Sequence, residues 1–183
     1  TRDAINGRTY AEFYLFDGFK ATINASLENM NEKFTRYDNQ LVGDGQGSGR
    51  LSKRDIRKST VTFNQLLSYV KSFGEHNIDV LLGHENYSYQ YEYSYGMRQG
   101  QAIEGLLEYD NFKTVNDLSS YTDKYRKEGY FVRANYNYAD KYYASVSYRR
   151  DGSSRFAEEN RWGNFWALSG GWRVSGEEFM KEF

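Results

Sequence analysis

The feature that most restricts this chain is a period-two alternation of apolar and polar side chains, repeated along the sequence and interrupted by regular turns. The stretch Thr9 to Leu27 is the first clear case. A two-residue turn at Asp17-Gly18 sets Glu12 opposite Ile23 on one face. A three-residue loop, Phe16-Asp17-Gly18 with Gly18 left-handed, instead pairs Leu15 with Phe19, Phe13 with Ala21 and Ala11 with Ile23. Glu12, Tyr14, Lys20 and Thr22 then share the other face. A slip of one residue inverts both faces, so the polarity pattern selects the three-residue loop. Tyr130 to Arg150 repeats the design around Ala139-Asp140-Lys141, pairing Tyr138 with Tyr142, Tyr136 with Ala144 and Ala134 with Val146. Arg133, Asn135, Asn137, Ser145, Ser147 and Arg149 fall on the opposite face. A third hairpin runs from about Ser59 to Phe73, turns at Gly74-Glu75-His76-Asn77 and returns from Ile78, and a seventh strand is expected over about Asn164 to Val174.

Between the hairpins lie long polar connections, roughly 29–58, 97–128 and 151–163, so short turns alternate with long loops. That sorting, with strand cores of about ten residues, is the pattern of an outer-membrane barrel with short turns on one side and long loops on the other. Composition agrees. Aromatics make up 18% of the chain against 39% apolar residues in all, and mean hydropathy is -0.86. Alternating strands average to low hydropathy in this way, whereas no run approaches the roughly 18 apolar residues of a membrane helix. The absence of proline leaves every backbone N–H free to join a ladder. The absence of cysteine removes disulfides and thiolate sites. With 24 basic and 25 acidic residues the net charge is -1, which argues against nucleic acid as a partner. The fold expected is all-β, an antiparallel up-and-down transmembrane β-barrel segment of about seven strands; the alternative is a soluble all-β carbohydrate-binding module with tyrosine-rich strands.

Specific runs carry a family resemblance. Y-F-V-R-A-N-Y-N-Y-A-D-K-Y from Tyr130, R-R-D-G-S-S-R-F at Arg149–Phe156, N-R-W-G-N-F at Asn160–Phe165 and S-G-G-W-R-V-S at Ser169–Ser175 resemble the barrel of SusC/RagA-type TonB-dependent outer-membrane receptors. L-F-D-G-F at Leu15–Phe19 and F-G-E-H-N-I-D-V-L-L-G-H-E at Phe73–Glu85 resemble upstream hairpins of that barrel, in the same order. One departure is Trp166, where the family commonly shows proline. The resemblance implies a barrel of about 22 strands closed by a plug domain, of which residues 1–183 supply roughly a third, the plug and remaining strands having no counterpart. It further implies import of oligosaccharides or peptides across the cell outer membrane, a SusD-like surface lipoprotein as partner, and energy from the TonB complex acting on the plug.

Few residues suggest a site. Arg149 and Arg155 stand where a strand is expected to enter a loop, with Asp151 and Gly152 read as the turn. The favoured reading pairs them with carboxylates in the wall, and either is the weaker candidate for contact with an anionic or hydroxylated substrate. Tyr87, Tyr89, Tyr91, Tyr93 and Tyr95 alternate without a break but have the opposite parity to Ile78, Val80 and Leu82. A one-residue bulge near Gly83–Glu85 is expected to turn Tyr87, Tyr89 and Tyr91 outward as an aromatic girdle. Tyr93 and Tyr95 would continue above it as candidates for stacking on substrate. Gly43, Gly45, Gly47 and Gly49 read as a flexible loop tip rather than a phosphate cradle, with Asp44 the one conceivable calcium ligand there. His76, placed in a turn, and His84, on a strand, have no ligand cluster. No catalytic motif is present, so neither enzyme activity nor a cofactor is expected. Ser175-Gly176-Glu177-Glu178 has the form of a capping box, with Ser175 as cap and Glu178 reaching back, and Leu118, Tyr121 and Tyr125 have helical spacing.

Overall fold

The computed structural model describes residues 1–180. Seven strands make one antiparallel sheet in the order β1-β2-β3-β4-β5-β6-β7, so that each strand pairs with its neighbours in sequence. They are β1 (Arg2–Phe16), β2 (Phe19–Asp38), β3 (Arg50–Phe73), β4 (His76–Gln101), β5 (Phe112–Tyr138), β6 (Tyr142–Ser153) and β7 (Trp162–Trp172). The order is linear, and β1 does not pair with β7. Most of the long polar connections expected from the sequence are strand. Only 39–49, 102–111 and 154–161 lie between strands on that side of the sheet. Alternation of polarity marks a strand only where its two faces meet different surroundings. Where both faces are polar the ladder continues unannounced, and the helix expected around Leu118, Tyr121 and Tyr125 is the middle of β5.

The hairpin registers follow the polarity pattern. Across β5 and β6, Tyr138 opposes Tyr142, Tyr136 opposes Ala144 and Ala134 opposes Val146. Arg133, Asn135, Ser145, Ser147 and Arg149 therefore share one face, and Tyr136, Ala144, Val146 and Tyr148 share the other. β7 continues both sets, with Leu168 opposite Val146, Trp166 opposite Tyr148 and Phe165 opposite Arg149. In the first hairpin Gly18 is left-handed, at φ 78°. Thr1 and Lys33 exchange two backbone bonds of 2.7 and 2.9 Å, the register that sets Leu15 opposite Phe19. The third hairpin is tighter than expected. Its loop is Gly74-Glu75 alone, with Gly74 at φ 57°, and His76 already belongs to β4, where it stacks on Phe73 at 5.2 Å. A two-residue loop with a left-handed first residue suits the twist of a hairpin, which four residues would relax.

By packing, the chain divides into two compact units. One comprises Thr1–Gly7, Leu27–Thr60 and Tyr89–Lys124. It holds Leu51 and Phe112, the large side chains that are fully buried among the described residues. Its glycine-rich loop is folded rather than free. Asn39 Oδ1 accepts from the N–H groups of Leu41 and Val42 at 3.0 Å each, and Gly49 N–H donates to the Gly45 carbonyl at 2.7 Å. Asp44 there faces two guanidinium groups, 3.3 Å from Arg50 and 3.7 Å from Arg36, and not a carboxylate cluster. The Asn111 side chain organises the 102–111 connection, donating to the carbonyls of Ile103 and Leu106 at 2.7 Å each.

The other unit comprises Arg8–Ser26, Val61–Ser88 and Tyr125 onward. It carries the amphipathic part of the sheet, one face of which leaves Trp166 79% and Leu168 74% exposed. Two of its glycines make room for rings. A Cβ on Gly83 would lie 2.0 Å from the Phe131 ring, and one on Gly152 would lie 2.9 Å from the Trp162 indole. Asp151-Gly152 is therefore strand, not turn. Gly83 marks a close approach instead of a bulge, which is the other use of glycine in a strand. Beyond β7, residues Val174–Gly176 form a 3-10 turn whose N-cap, Arg173, makes no side-chain capping bond. The capping box thus does not form, because Ser175 lies inside the turn. Glu177 does the tying instead. Its carboxylate accepts from Tyr142 at 2.5 Å, Trp172 at 3.1 Å and Lys141 at 3.1 Å.

Two expectations follow. Gly83→Ala drives a methyl group into the Phe131 ring and should cost about 1–3 kcal/mol of stability, read from the unfolding midpoint of the protein; Phe131→Ala in the same chain should recover part of it. The Tyr142, Trp172 and Lys141 donors hold Glu177 down from the ordinary 4.5 to about 2. A lowered carboxyl contributes stability above its unfolded value and loses it as the pH falls through the folded one. Glu177→Gln should therefore lower the thermal midpoint at neutral pH, and the difference from the native protein should close between about pH 4.5 and pH 2.

Candidate functional site

The register of β4 decides where its tyrosines point. The Ser72 hydroxyl donates to Asn77 at 2.6 Å, Gln65 and His84 meet at 2.6 Å, and the Lys58 ammonium lies 5.7 Å from the centre of the Tyr91 ring. Seven residues separate 58, 65 and 72 on β3, and seven separate 77, 84 and 91 on β4. The offset is constant, so no extra residue is inserted near Gly83–Glu85 and the expected bulge is absent. Tyr87, Tyr89, Tyr91, Tyr93 and Tyr95 consequently keep the parity of Asp79, which bonds Asn135 at 3.2 Å, and lie on the polar face. A bulge would sacrifice a ladder bond worth about 0.5–1.5 kcal/mol. Nothing offsets that loss where the surroundings of the opposite face are polar.

In the first unit Tyr121 of β5 stacks on Tyr91 at 5.7 Å and on Tyr93 at 5.1 Å. Tyr93 thus belongs to an aromatic cluster flanked by Lys58. Tyr95 is drawn aside, its hydroxyl 3.5 Å from Ser52 Oγ. In the second unit the rings of Tyr87 and Tyr125 lie 5.8 Å apart, and the Lys127 ammonium sits 5.7 and 5.6 Å from their centres. The guanidinium of Arg155 covers Tyr125 at 4.3 Å. Tyr121, Tyr125 and Lys127 do not stand out as site residues in the sequence, although Tyr121, Asp123, Tyr125 and Lys127 share one face of β5. Their three- and four-residue spacings read equally as helix.

Arg149 is engaged within the wall. Its Nε lies 2.7 and 2.8 Å from the two Asp151 oxygens, a terminal nitrogen reaches Glu85 at 3.5 Å, and its guanidinium lies 5.3 Å from the Phe131 ring centre. Gly129 leaves the space for this pair, since a Cβ there would come within 2.7 Å of Asp151 Oδ1. Arg150, on the other face, covers the Trp162 ring at 5.0 Å. His76 Nδ1 meets the Tyr136 hydroxyl at 2.6 Å, and His84 lies between Gln65 and Glu128, 3.0 Å from the latter. Among the described residues no group of three or more His, Cys, Asp or Glu side chains could hold a metal ion.

A sheet of consecutive antiparallel strands, apolar on one face and polar on the other, with short turns at one end and long strand extensions at the other, has the construction of an outer-membrane β-barrel wall. No family model matches the chain. Curated relatives do: the TonB-dependent receptor SusC of Bacteroides thetaiotaomicron is 30% identical over 125 residues, 68% of this chain and 12% of the relative. The TonB-dependent receptor P3 of Formosa agariphila is 31% identical over 188 residues, 98% of this chain and 18% of the relative. The solved structures of the RagAB peptide transporter share the fold, one at a TM-score of 0.90 with 21% identity over 97% of this chain and 20% of that one. Another, of the RagAB peptide importer in an open-open state, covers the whole chain at 0.90 and 22% identity. The chain belongs to the SusC/RagA-type TonB-dependent receptors and corresponds to part of their β-barrel. It spans less than a fifth of the length of these two curated relatives.

Because both charged partners of Arg149 stand beside it in the wall, Arg149→Gln should act on stability and not on ligand binding. The pair is roughly half exposed, so screening limits the loss to about 0.2–1 kcal/mol. An unfolding curve beside a binding titration of the parent protein checks both halves.

Proposed function

We propose that this chain is wall in a TonB-dependent importer of the outer membrane, which takes up oligosaccharides or peptides together with a SusD-like surface lipoprotein. The observation that carries the reading is the pair of unlike faces in one continuous ladder. One presents Tyr136, Val146, Tyr148, Trp166 and Leu168 to the surroundings. The other presents Arg133, Asn135, Ser145, Ser147 and Arg149. An arginine on the lipid side at the bilayer midplane costs about 2–4 kcal/mol, so the apolar face belongs to lipid and the polar face to the lumen. β1 and β7 each pair on one side only. Unpaired backbone groups in hydrocarbon cost several kcal/mol apiece, so in a membrane further strands of the parent barrel must complete both.

The same faces weigh against a soluble sugar-binding module, which would have to cover the exposed Trp166 and Leu168. By analogy with the receptors it resembles, TonB would act on a plug inside the completed barrel, and the lipoprotein would close the external mouth. Substrate would pass along the polar face, where hydroxyl, amide and paired charged groups offer exchangeable hydrogen bonds.

Fractionation of cells producing the parent protein tests this reading. The protein is expected in the outer-membrane fraction, released only by detergent, with a surface lipoprotein co-purifying and uptake lost on deletion of tonB. A parent that stays in solution without detergent defeats it.

A further inference from the structure

The second unit holds a cluster on the polar face that the wall itself does not need. The tilted rings of Tyr87 and Tyr125 present two aromatic surfaces 5.8 Å apart, with the angle between them 31°. The Lys127 ammonium lies over both rings, 5.7 and 5.6 Å from their centres, and forms no ion pair among the described residues. Arg155 adds a planar guanidinium 4.3 Å over Tyr125. Of the carboxylates on this face, Glu85 and Asp151 both face Arg149. Exposed cation–π contacts are weak, about a quarter to a half as strong as a charge-assisted hydrogen bond. An arriving anion therefore displaces the ring from the ammonium with a net gain. Once freed, the rings offer flat apolar faces of the kind that the C–H face of a pyranose covers.

We propose that Tyr87, Tyr125, Lys127 and Arg155 form a subsite for an acidic sugar, a pyranose bearing a carboxylate, along the path of the imported substrate. The proposal rests on the importer reading and narrows its substrate class. The sugar ring stacks on Tyr87 and Tyr125 while its carboxylate meets Lys127, with the Arg155 guanidinium beside it over Tyr125. A peptide is served less well here. Strands in the middle of a sheet have no unpaired backbone groups to offer an extended chain, and two flat rings match a pyranose face better than a run of side chains.

The test uses the full-length receptor with its partner lipoprotein in detergent, titrated calorimetrically with a short oligogalacturonate, a neutral glucan of equal length and an acidic peptide. Oligogalacturonate is expected to bind more tightly than the other two, and added salt should weaken it. Lys127→Met should weaken it by about tenfold or more. Tyr125→Leu should do so as well, while Lys124→Met, on the opposite face, should leave it unchanged. Circular dichroism and heat-modifiability on gels verify that each variant is folded. Equal affinity for the neutral glucan, preference for the peptide, no binding of oligogalacturonate, or indifference to Lys127→Met overturns the subsite. Any of these in a receptor that still sits in the outer membrane and imports another substrate leaves the importer reading standing. Failure of the fractionation test removes that reading first, and the subsite with it.

Discussion

The ladder between β3 and β4 holds one offset from Ser72 and Asn77, through Gln65 and His84, to Lys58 and Tyr91, and that constancy decides what each side chain of β4 can meet. In the amphipathic unit the odd positions of β4 carry Asn77, Asp79 and Glu85, and the even ones Ile78, Val80 and Leu82 are apolar. In the unit that includes Tyr89–Lys124 the odd positions are tyrosines and the even ones are Gln90, Glu92 and Ser94. The preference thus reverses along one strand without any change of register. Lipid on one face requires apolar side chains there only over the thickness of the hydrocarbon. Where that requirement is absent, aromatic groups gain as much from stacking on the polar face.

That reversal is what the sequence concealed. Where a face met one kind of surrounding throughout, register was legible to the residue: Ala134 opposite Val146 and the left-handed Gly18 both follow from polarity alone. At Tyr87–Tyr95 the rule that apolar means outward was extended past the point where its cause ends, and a bulge was needed to save it. Strand length was hidden for the same reason. Residues 112–129 of β5 carry polar side chains on both faces, so alternation gives no signal although every backbone group can still pair. Tyr121 and Tyr125 then satisfied the helical template by coincidence of spacing.

Glycine added a second ambiguity, since a strand glycine can mean a turn, a bulge or a ring close by. Gly83, where a bulge is expected, and Gly152, where a turn is expected, both make room for a ring, Phe131 and Trp162 respectively. The partner in each case lies on the neighbouring strand, 48 and 10 residues away along the chain. Only the completed pairing reveals it. Glu177 taught the same lesson at the chain's far end. Local spacing favoured Glu178 as a capping residue, but the three donors that fix Glu177 come from Lys141, Tyr142 and Trp172, brought together by the β6–β7 pairing.

The run Arg149–Phe156 shows why a recognisable motif need not be a binding site. Arg149 donates to Asp151 on its own strand and approaches Glu85, while Gly129 and Gly152 clear room for the pair and for Trp162. The pair is partly exposed, so its own contribution is modest, but it consumes the valences that a ligand would need. Lys127 is the converse case. It belongs to no motif, its ammonium lies over two tyrosine rings, and among the described residues its charge is one that a passing anion can claim without first breaking an ion pair.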